Sequence, residues 1–320
     1  MTLILSEVTS RFALQVSDRL VTVSSGSVVR PHDTRANKSI IFEASNGVAS
    51  ISFTGLAYID GVPTDCWIAK ELNGTQFPID PSREFGMRSA IRRSQWPTFG
   101  LAIGKLANAL TEVASRPNSQ LRKIPIGLAV CGWIWYRKKY PRPFLTYVGA
   151  DQAGKYGIGW HFNRRGPFFL QMPVPNGYVT RQESSALDSF LGTAEENSAA
   201  AEMCRLIRTV ASRTRTVGAD CMQIVIAHPY AANREIVATF QRSNPHTDRQ
   251  HGTAPPPDYL AYSPWVVGRH LCFEPLITMG AKYTFDLGDY KLILSGPHVS
   301  TTPPGSTFAV IEPQQRPKAP

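Results

Sequence analysis

Thr2, Asp18, Lys38 and Gly55 are the residues of this chain whose types and spacing could carry out a reaction. Loss of Met1 would leave Thr2 with its hydroxyl and a free α-amine on one residue. An amine of that kind has a pKa of about 7.7–8.0, so near neutral pH it can act as base for its own hydroxyl. Lys38, as a cation near Oγ, would stabilise the developing alkoxide and lower the pKa of the amine. A buried ammonium needs a counter-charge, and Asp18 would supply and orient it. The N–H of Gly55 would donate to a tetrahedral oxyanion, because glycine lets a substrate come close to the backbone. The chemistry is attack on a carbonyl carbon, with an acyl-ester on Thr2 that water or an amine then releases. Each residue also has an ordinary reading. Threonine is common after methionine, Asp18 beside Arg19 could be a strand-end ion pair, and Lys38 could be a solvated lysine at the start of a strand.

The elements that must position these residues read as follows. Thr2–Val8 and Arg11–Val16 are strands, the second alternating Phe12, Leu14 and Val16 on one face. Residues 23–36 are polar and read as a loop. Lys38–Ala44 and Val48–Thr54 are strands joined by Asn46–Gly47, a type I′ hairpin signal. Thr64–Leu72 reads as a helix, 73–95 as irregular chain. Pro97–Ser115 reads as a helix with Phe99, Ile103, Leu106, Leu110 and Val113 on one buried face. Strands follow at Ile124–Trp133, Phe144–Gly149, Gly157–Phe162 and Pro167–Gln171, helices at Ser184–Leu191 and Glu195–Ser212, and a strand at Cys221–Ala227. Residues 241–258 are polar and proline-rich, as in a linker or long loop. Trp265–Phe273, Lys282–Leu287 and Tyr290–Leu294 read as further strands, with a turn at Leu287–Gly288–Asp289 and a frayed tail at Gln314–Pro320.

Composition narrows the classes. The chain has 320 residues, 42% hydrophobic and 18% charged, as in a globular protein rather than a disordered one. No apolar run approaches the roughly 18 residues that cross a bilayer, and Leu3–Leu5 is too short for a signal sequence. No membrane association is expected, and a cytoplasmic location is. Cys66, Cys131, Cys204, Cys221 and Cys272 are scattered and read as reduced, mostly buried thiols. His32, His246 and His251 lie in polar stretches with no third convergent ligand, so neither a metal nor any other cofactor is expected. The net charge of +10 gathers at Arg92–Arg93, Arg137–Lys139 with Arg142, Arg164–Arg165, and Arg205, Arg208, Arg213 and Arg215. Such a field favours nucleic acid or acidic proteins, yet no nucleic-acid motif accompanies it, and solvated faces are the plainer reading.

The order of elements, with the residues at the front, resembles the proteasome β-type members of the N-terminal-nucleophile hydrolases. Thr2 would be the first residue once Met1 is lost. Leu14-Gln15-Val16-Ser17-Asp18-Arg19 looks like the strand that ends in the family's aspartate, sixteen residues after the nucleophile. Asn37-Lys38-Ser39-Ile40-Ile41-Phe42 looks like the family's lysine at the head of its third strand. Ser52-Phe53-Thr54-Gly55-Leu56-Ala57 looks like the turn whose glycine supplies an oxyanion N–H. The resemblance implies an α+β fold, a four-layer αββα sandwich of two antiparallel sheets, over residues 1–228. A linker and a small β-rich extension would occupy 229–320. It implies a threonine-type amidohydrolase acting on peptide or protein substrates, and a homo-oligomer. Two family residues have no match here. No Gly-Ser-Gly turn occurs near Pro175–Ser185, where Ser184 or Ser185 is the nearest substitute, and Arg213–Gly218 holds no aspartate. Those gaps favour the alternative of a catalytically silent interaction protein; the charge favours a basic scaffold for nucleic acid or acidic proteins.

Overall fold

A computed structural model describes residues 2–25, 28–34, 36–73, 97–136, 140–161, 168–172, 178–191, 194–232, 234–241, 259–261, 265–267, 270–273, 277–279, 283–286 and 290–295. The expectations for 74–95, Arg92–Arg93, Arg137–Lys139, Arg164–Arg165, 242–258 with His246 and His251, Leu287–Gly288–Asp289 and the tail fall outside those residues.

The chain is strand-rich α+β. It opens with β1 (Ile4–Val8), β2 (Phe12–Asp18), β3 (Val21–Ser25) and β4 (Val28–Asp33). β5 (Ser39–Ala44), β6 (Gly47–Thr54), the short β7 (Tyr58–Ile59) and β8 (Val62–Pro63), α1 (Thr64–Asn73) and α2 (Phe99–Ser115) follow. β9 (Gly127–Tyr136), β10 (Tyr140–Ala150), β11 (Tyr156–His161), β12 (Phe168–Met172), α3 (Arg181–Leu191), α4 (Glu196–Arg213), β13 (Cys221–Ala227) and β14 (Glu235–Gln241) come next. The last strands are β15 (Tyr259–Ala261), β16 (Trp265–Val267), β17 (His270–Phe273), β18 (Ile277–Met279), β19 (Tyr283–Asp286) and β20 (Lys291–Ser295).

Two seven-stranded sheets form, in the orders β12-β1-β2-β13-β14-β20-β19 and β11-β10-β9-β6-β5-β16-β17. Side-chain alternation decides what each face meets. Phe12, Leu14 and Val16 of β2 pack with Met203, Ile207 and Val210 of α4. Ile40, Phe42 and Ala44 of β5 pack with α1 and α2 through Ile68, Phe99 and Ile103. A third cluster takes buried side chains from both sheets, among them Ala13, Ile41, Trp133 and Ile224. Beside it the two sheets share a polar network. Gln15 Oε1 accepts from Ser50 and Ser52 hydroxyls at 2.6 Å each, Gln15 Nε2 donates to Ser6 Oγ at 2.9 Å and to Ala129 O at 3.1 Å, and Ser52 meets Ser39 at 2.5 Å.

Three local readings change. Residues expected as a loop over 23–36 hold the antiparallel β3–β4 hairpin. The β5–β6 hairpin turns on Ser45–Asn46 rather than Asn46–Gly47, because Ala44 and Gly47 already pair. Neither Asn46 nor Gly47 has positive φ, so the turn is not type I′. Gly47 is small for another reason: a Cβ there would lie 3.0 Å from Trp133 O. Asn46 Oδ1 accepts from Phe99 N at 2.7 Å at the start of α2, where Thr98 also caps Leu101 N. Finally, the strands after residue 228 continue both sheets: β14 pairs with β13, β20 with β14 in parallel, and β16 with β5 in parallel.

Candidate functional site

The strand ends of the two sheets gather the four residues singled out by chemistry. β2 closes at Asp18, where Asp18 N donates to Leu3 O at 3.2 Å. The Asp18 side chain turns inward and is fully buried. Its Oδ1 accepts from Leu3 N at 2.8 Å, and its Oδ2 from Leu20 N at 3.1 Å and Gly218 N at 3.0 Å. Asp18 thus clamps the residue after Thr2, the residue that leads into β3, and the loop between α4 and β13. The neighbouring Arg19 donates from Nε to Ala36 O at 3.4 Å.

Lys38 stands just ahead of β5, held by Phe53 N donating to Lys38 O at 3.0 Å. It is buried, with Nζ 5.4 Å from the centre of the Phe53 ring. Burial pushes the Lys38 pKa down, while the charges of Asp18, Asp33 and Asp65 pull it back up. Burial pushes the Asp18 carboxyl up, against Lys38 and the three backbone donors. Each group is the other's counter-charge in a place where water cannot serve. A lysine whose pKa is lowered by burial gives up its proton more readily than an exposed one.

Gly55 follows β6 at φ 100°, a conformation that disfavours any residue with a Cβ. A Cβ there would also sit 2.2 Å from Pro125 O. Gly55 and Lys38 line one cavity of about 850 Å³, together with Leu20, Val21, Thr22 and Thr216. Thr2 is 1% exposed and is not among the lining residues. Its N–H donates to Thr54 Oγ1 at 3.0 Å, and Thr54 Oγ1 donates to Thr2 O at 2.9 Å. Thr2 is therefore tied to the residue before Gly55, and its neighbour Leu3 to Asp18, so the four positions converge.

Thr54 is the residue that sequence reasoning passed over. The available signal was a hydroxyl residue directly before a strand-end glycine. Gly218 is the second: it supplies a backbone N–H in the loop where an aspartate was sought. Neither Ser184 nor Ser185 donates or accepts a side-chain hydrogen bond to Thr2, Asp18 or Lys38; both lie in the early turns of α3.

Other candidates are accounted for locally. Cys131 donates to Glu7 O and Leu14 O at 3.4 Å each, and burial raises its pKa far above the usual thiol range. Among the described residues no group of three or more His, Cys, Asp or Glu could hold a metal, and no helix is long and apolar enough to cross a membrane. Three of the four arginines in and after α4 have partners. Arg205 pairs with Glu202 at 2.6 Å, Arg213 with Glu183 at 2.7 Å, and Arg208 Nε donates to Ala219 O at 3.4 Å.

No protein-family model matches the sequence, and no curated protein matches it. Similar solved structures exist. A Gly-1 mutant of Anbu from Hyphomicrobium sp. strain MC1 is 13% identical, with a TM-score of 0.45, over 71% of this chain and 82% of that one. Anbu from Yersinia bercovieri, described as an ancestral beta-subunit, is 11% identical, with a TM-score of 0.43, over 70% and 81%. Anbu from Pseudomonas aeruginosa, solved as a helical assembly, is 11% identical, with a TM-score of 0.40, over 71% and 81%. These findings correct the sequence-level likeness to the proteasome β-type family. The similar structures are Anbu proteins, a related but distinct family. Likenesses this distant leave the activity of the chain to be argued from its own residues.

Proposed function

We propose that this chain is a threonine-type N-terminal-nucleophile amidohydrolase that cleaves peptide bonds through an acyl-ester on Thr2. The observation that supports it most is the buried Asp18–Lys38 couple, packed behind the first residues and opening through Lys38 onto a cavity edged by Gly55. Burying two charges is costly, and a fold that only needed packing would do as well with apolar residues.

In this reading Met1 is removed and the freed amine of Thr2 takes the proton of Oγ as Oγ attacks the substrate carbonyl carbon. Lys38 stabilises the alkoxide, Asp18 holds Lys38 and the Leu3 amide, and Gly55 N–H receives the oxyanion. The tetrahedral carbon then expels the amine leaving group, which takes the proton back, and the acyl-ester passes to water. Thr54, which holds the Thr2 N–H, becomes a partner for the amine. The layers would be α, β, β, α. Residues 1–228 would hold the chemistry, and 229–320 would add edge strands to it. A cytoplasmic, oligomeric protein fits this reading.

One observation favours a second reading. Thr2 is buried and bonded through its backbone on both sides to Thr54, as in a silent member of such a fold. Intact mass of the native protein separates the two. The first reading predicts loss of Met1 and one acyl adduct on Thr2 from an electrophilic peptide probe, absent in Thr2→Ala. Quantitative retention of Met1 in the native host would overturn it.

A further inference from the structure

Lys38 is enclosed by acids from three elements. Asp18 ends β2, Asp33 ends β4, and Asp65 stands in the first turn of α1; the charge of each acts on the buried ammonium. Asp18 also holds the N–H groups of Leu3, Leu20 and Gly218. Asp33 is half-buried on the β3–β4 hairpin. Asp65 is 1% exposed, and it reaches Lys38 by a second route besides charge.

That route runs through Asn37. Asn37 Nδ2 donates to Asp65 Oδ2 at 2.9 Å and to Ser39 O at 2.8 Å. A side-chain amide has two N–H donors, so both are engaged. The Asn37 amide therefore straddles Lys38, reaching from the residue before it to the carbonyl after it. The Lys38 carbonyl itself accepts from Phe53 N at 3.0 Å. The backbone around Lys38 is thus held by α1 on one side and β6 on the other. A fixed backbone limits where a long, rotamer-rich side chain can carry its charge. A carboxylate also suits the first turn of a helix, where free N–H groups favour negative charge. That preference is met at the surface; it does not call for a buried acid bonded to the residue before Lys38.

We infer that Asp65 is a positioning residue for Lys38: through Asn37 it fixes the chain on both sides of the lysine, and its carboxylate shares with Asp18 the charge of the Lys38 ammonium. Without the Asp65 charge, burial of Lys38 is opposed by less, and the ammonium gives up its proton more easily. A neutral Lys38 would help an alkoxide on Thr2 less. That consequence rests on the reaction proposed above; the coupling of Asp65 to Lys38 does not.

The test is Asp65→Asn in the full-length chain. Asparagine keeps the size and an acceptor for Asn37 and removes the charge. Other ionisable groups lie on the same elements or along the cavity: Arg19, His32, Cys66, Tyr58, Lys123 and the Asp60–Arg116 pair. Asp65→Asn leaves all of these in place, so a change at Lys38 reads Asp65. Wild-type and variant proteins with lysine labelled at Cε are titrated by NMR, the Lys38 signal being assigned with Lys38→Arg. The Lys38 midpoint should move to lower pH in Asp65→Asn. Labelling of Thr2 by an electrophilic peptide probe should fail at lower pH on its alkaline side, about tenfold slower there, and match the wild type within about twofold on its acid side. Urea midpoints check folding. If Asp65→Asn does not fold, the wild type decides: the carboxyl carbon of Asp65 should shift as Lys38 loses its proton, and a flat signal through that titration overturns the inference. An unmoved Lys38 midpoint in folded Asp65→Asn also overturns it, and labelling slowed equally at every pH would then leave Asp65 a structural residue only. A moved midpoint with no labelling of the wild type supports the coupling and removes the proposed reaction.

Discussion

At the scale of single residues, two buried acids behave in opposite ways. Asp18 has three backbone donors and Lys38; Glu7 has neither of its oxygens hydrogen-bonded. Lys38→Met would keep the volume and strand the Asp18 charge, so a loss of about 3–5 kcal/mol is expected in urea unfolding at pH 7. A Lys38→Met variant as stable as the wild type would show that the two charges are not a pair. Glu7 is different. Burial raises its pKa to about 7, against Arg11, from an ordinary value of 4.5. Between those values the folded state holds a proton that the unfolded state has released, so stability falls as pH rises through that window. Glu7→Gln copies the protonated form. It should match the wild type near pH 4.5 and exceed it by about 2–3 kcal/mol at pH 8. Urea titrations at both values measure this, and a glutamine variant weaker at pH 8 would contradict it.

At the scale of elements, the front of the interface between the sheets is polar and its hub is Gln15. Gln15→Leu would leave Ser50, Ser52 and Ser6 hydroxyls and the Ala129 carbonyl without that partner. At about 1–3 kcal/mol for each unmet buried group, softened by Ser52 keeping Ser39, a loss of about 2–4 kcal/mol in chemical unfolding is expected. A neutral result would mean that the serines find other partners. Gln15 also shows what a sequence reveals. The alternation of Phe12, Leu14 and Val16 announces β2 and its helix-facing side, and the spacing of Phe99, Ile103, Leu106 and Leu110 announces α2. The same alternation puts Ala13, Gln15 and Ser17 on the other face, but not what they meet there. The convergence of Asp18, Lys38 and Gly55 is legible because each lies at or beside the end of a strand. Thr54 and Gly218 are not, since one acts through a hydroxyl common at strand ends and the other through a backbone N–H. The β3–β4 hairpin hides because its polar residues read as a loop. The parallel pairings of β14 with β20 and β16 with β5 leave no local trace, because nothing between the partners marks the return.

At the scale of the whole molecule, those pairings decide whether the part that holds the chemistry can stand by itself. β13 lies between β2 and β14, and its partner β2 carries Asp18 at its end. The cluster between the sheets takes Ile236, Ala238, Val267, Tyr290 and Leu292 from beyond residue 228. Burying the four larger of these side chains contributes roughly 6–12 kcal/mol at about 1.5–3 kcal/mol each. That is comparable with the whole stability of an ordinary domain, about 5–15 kcal/mol. Without β14, β13 becomes an edge strand with open N–H and C=O groups, and the apolar faces of Met222, Ile224 and Ile226 lose their cover. A chain ending at residue 228 should therefore fail to give a cooperative thermal transition by circular dichroism and should aggregate on expression. Co-expression of residues 229–320 as a separate chain should restore some soluble material, since the added strands pair through backbone rather than through a covalent link. A sharp, reversible melt of the 1–228 chain alone would show that the later strands decorate a complete core. If it fails as expected, the division at 228 separates where the chemistry lies from what completes the sheets, and the two parts fold as one body.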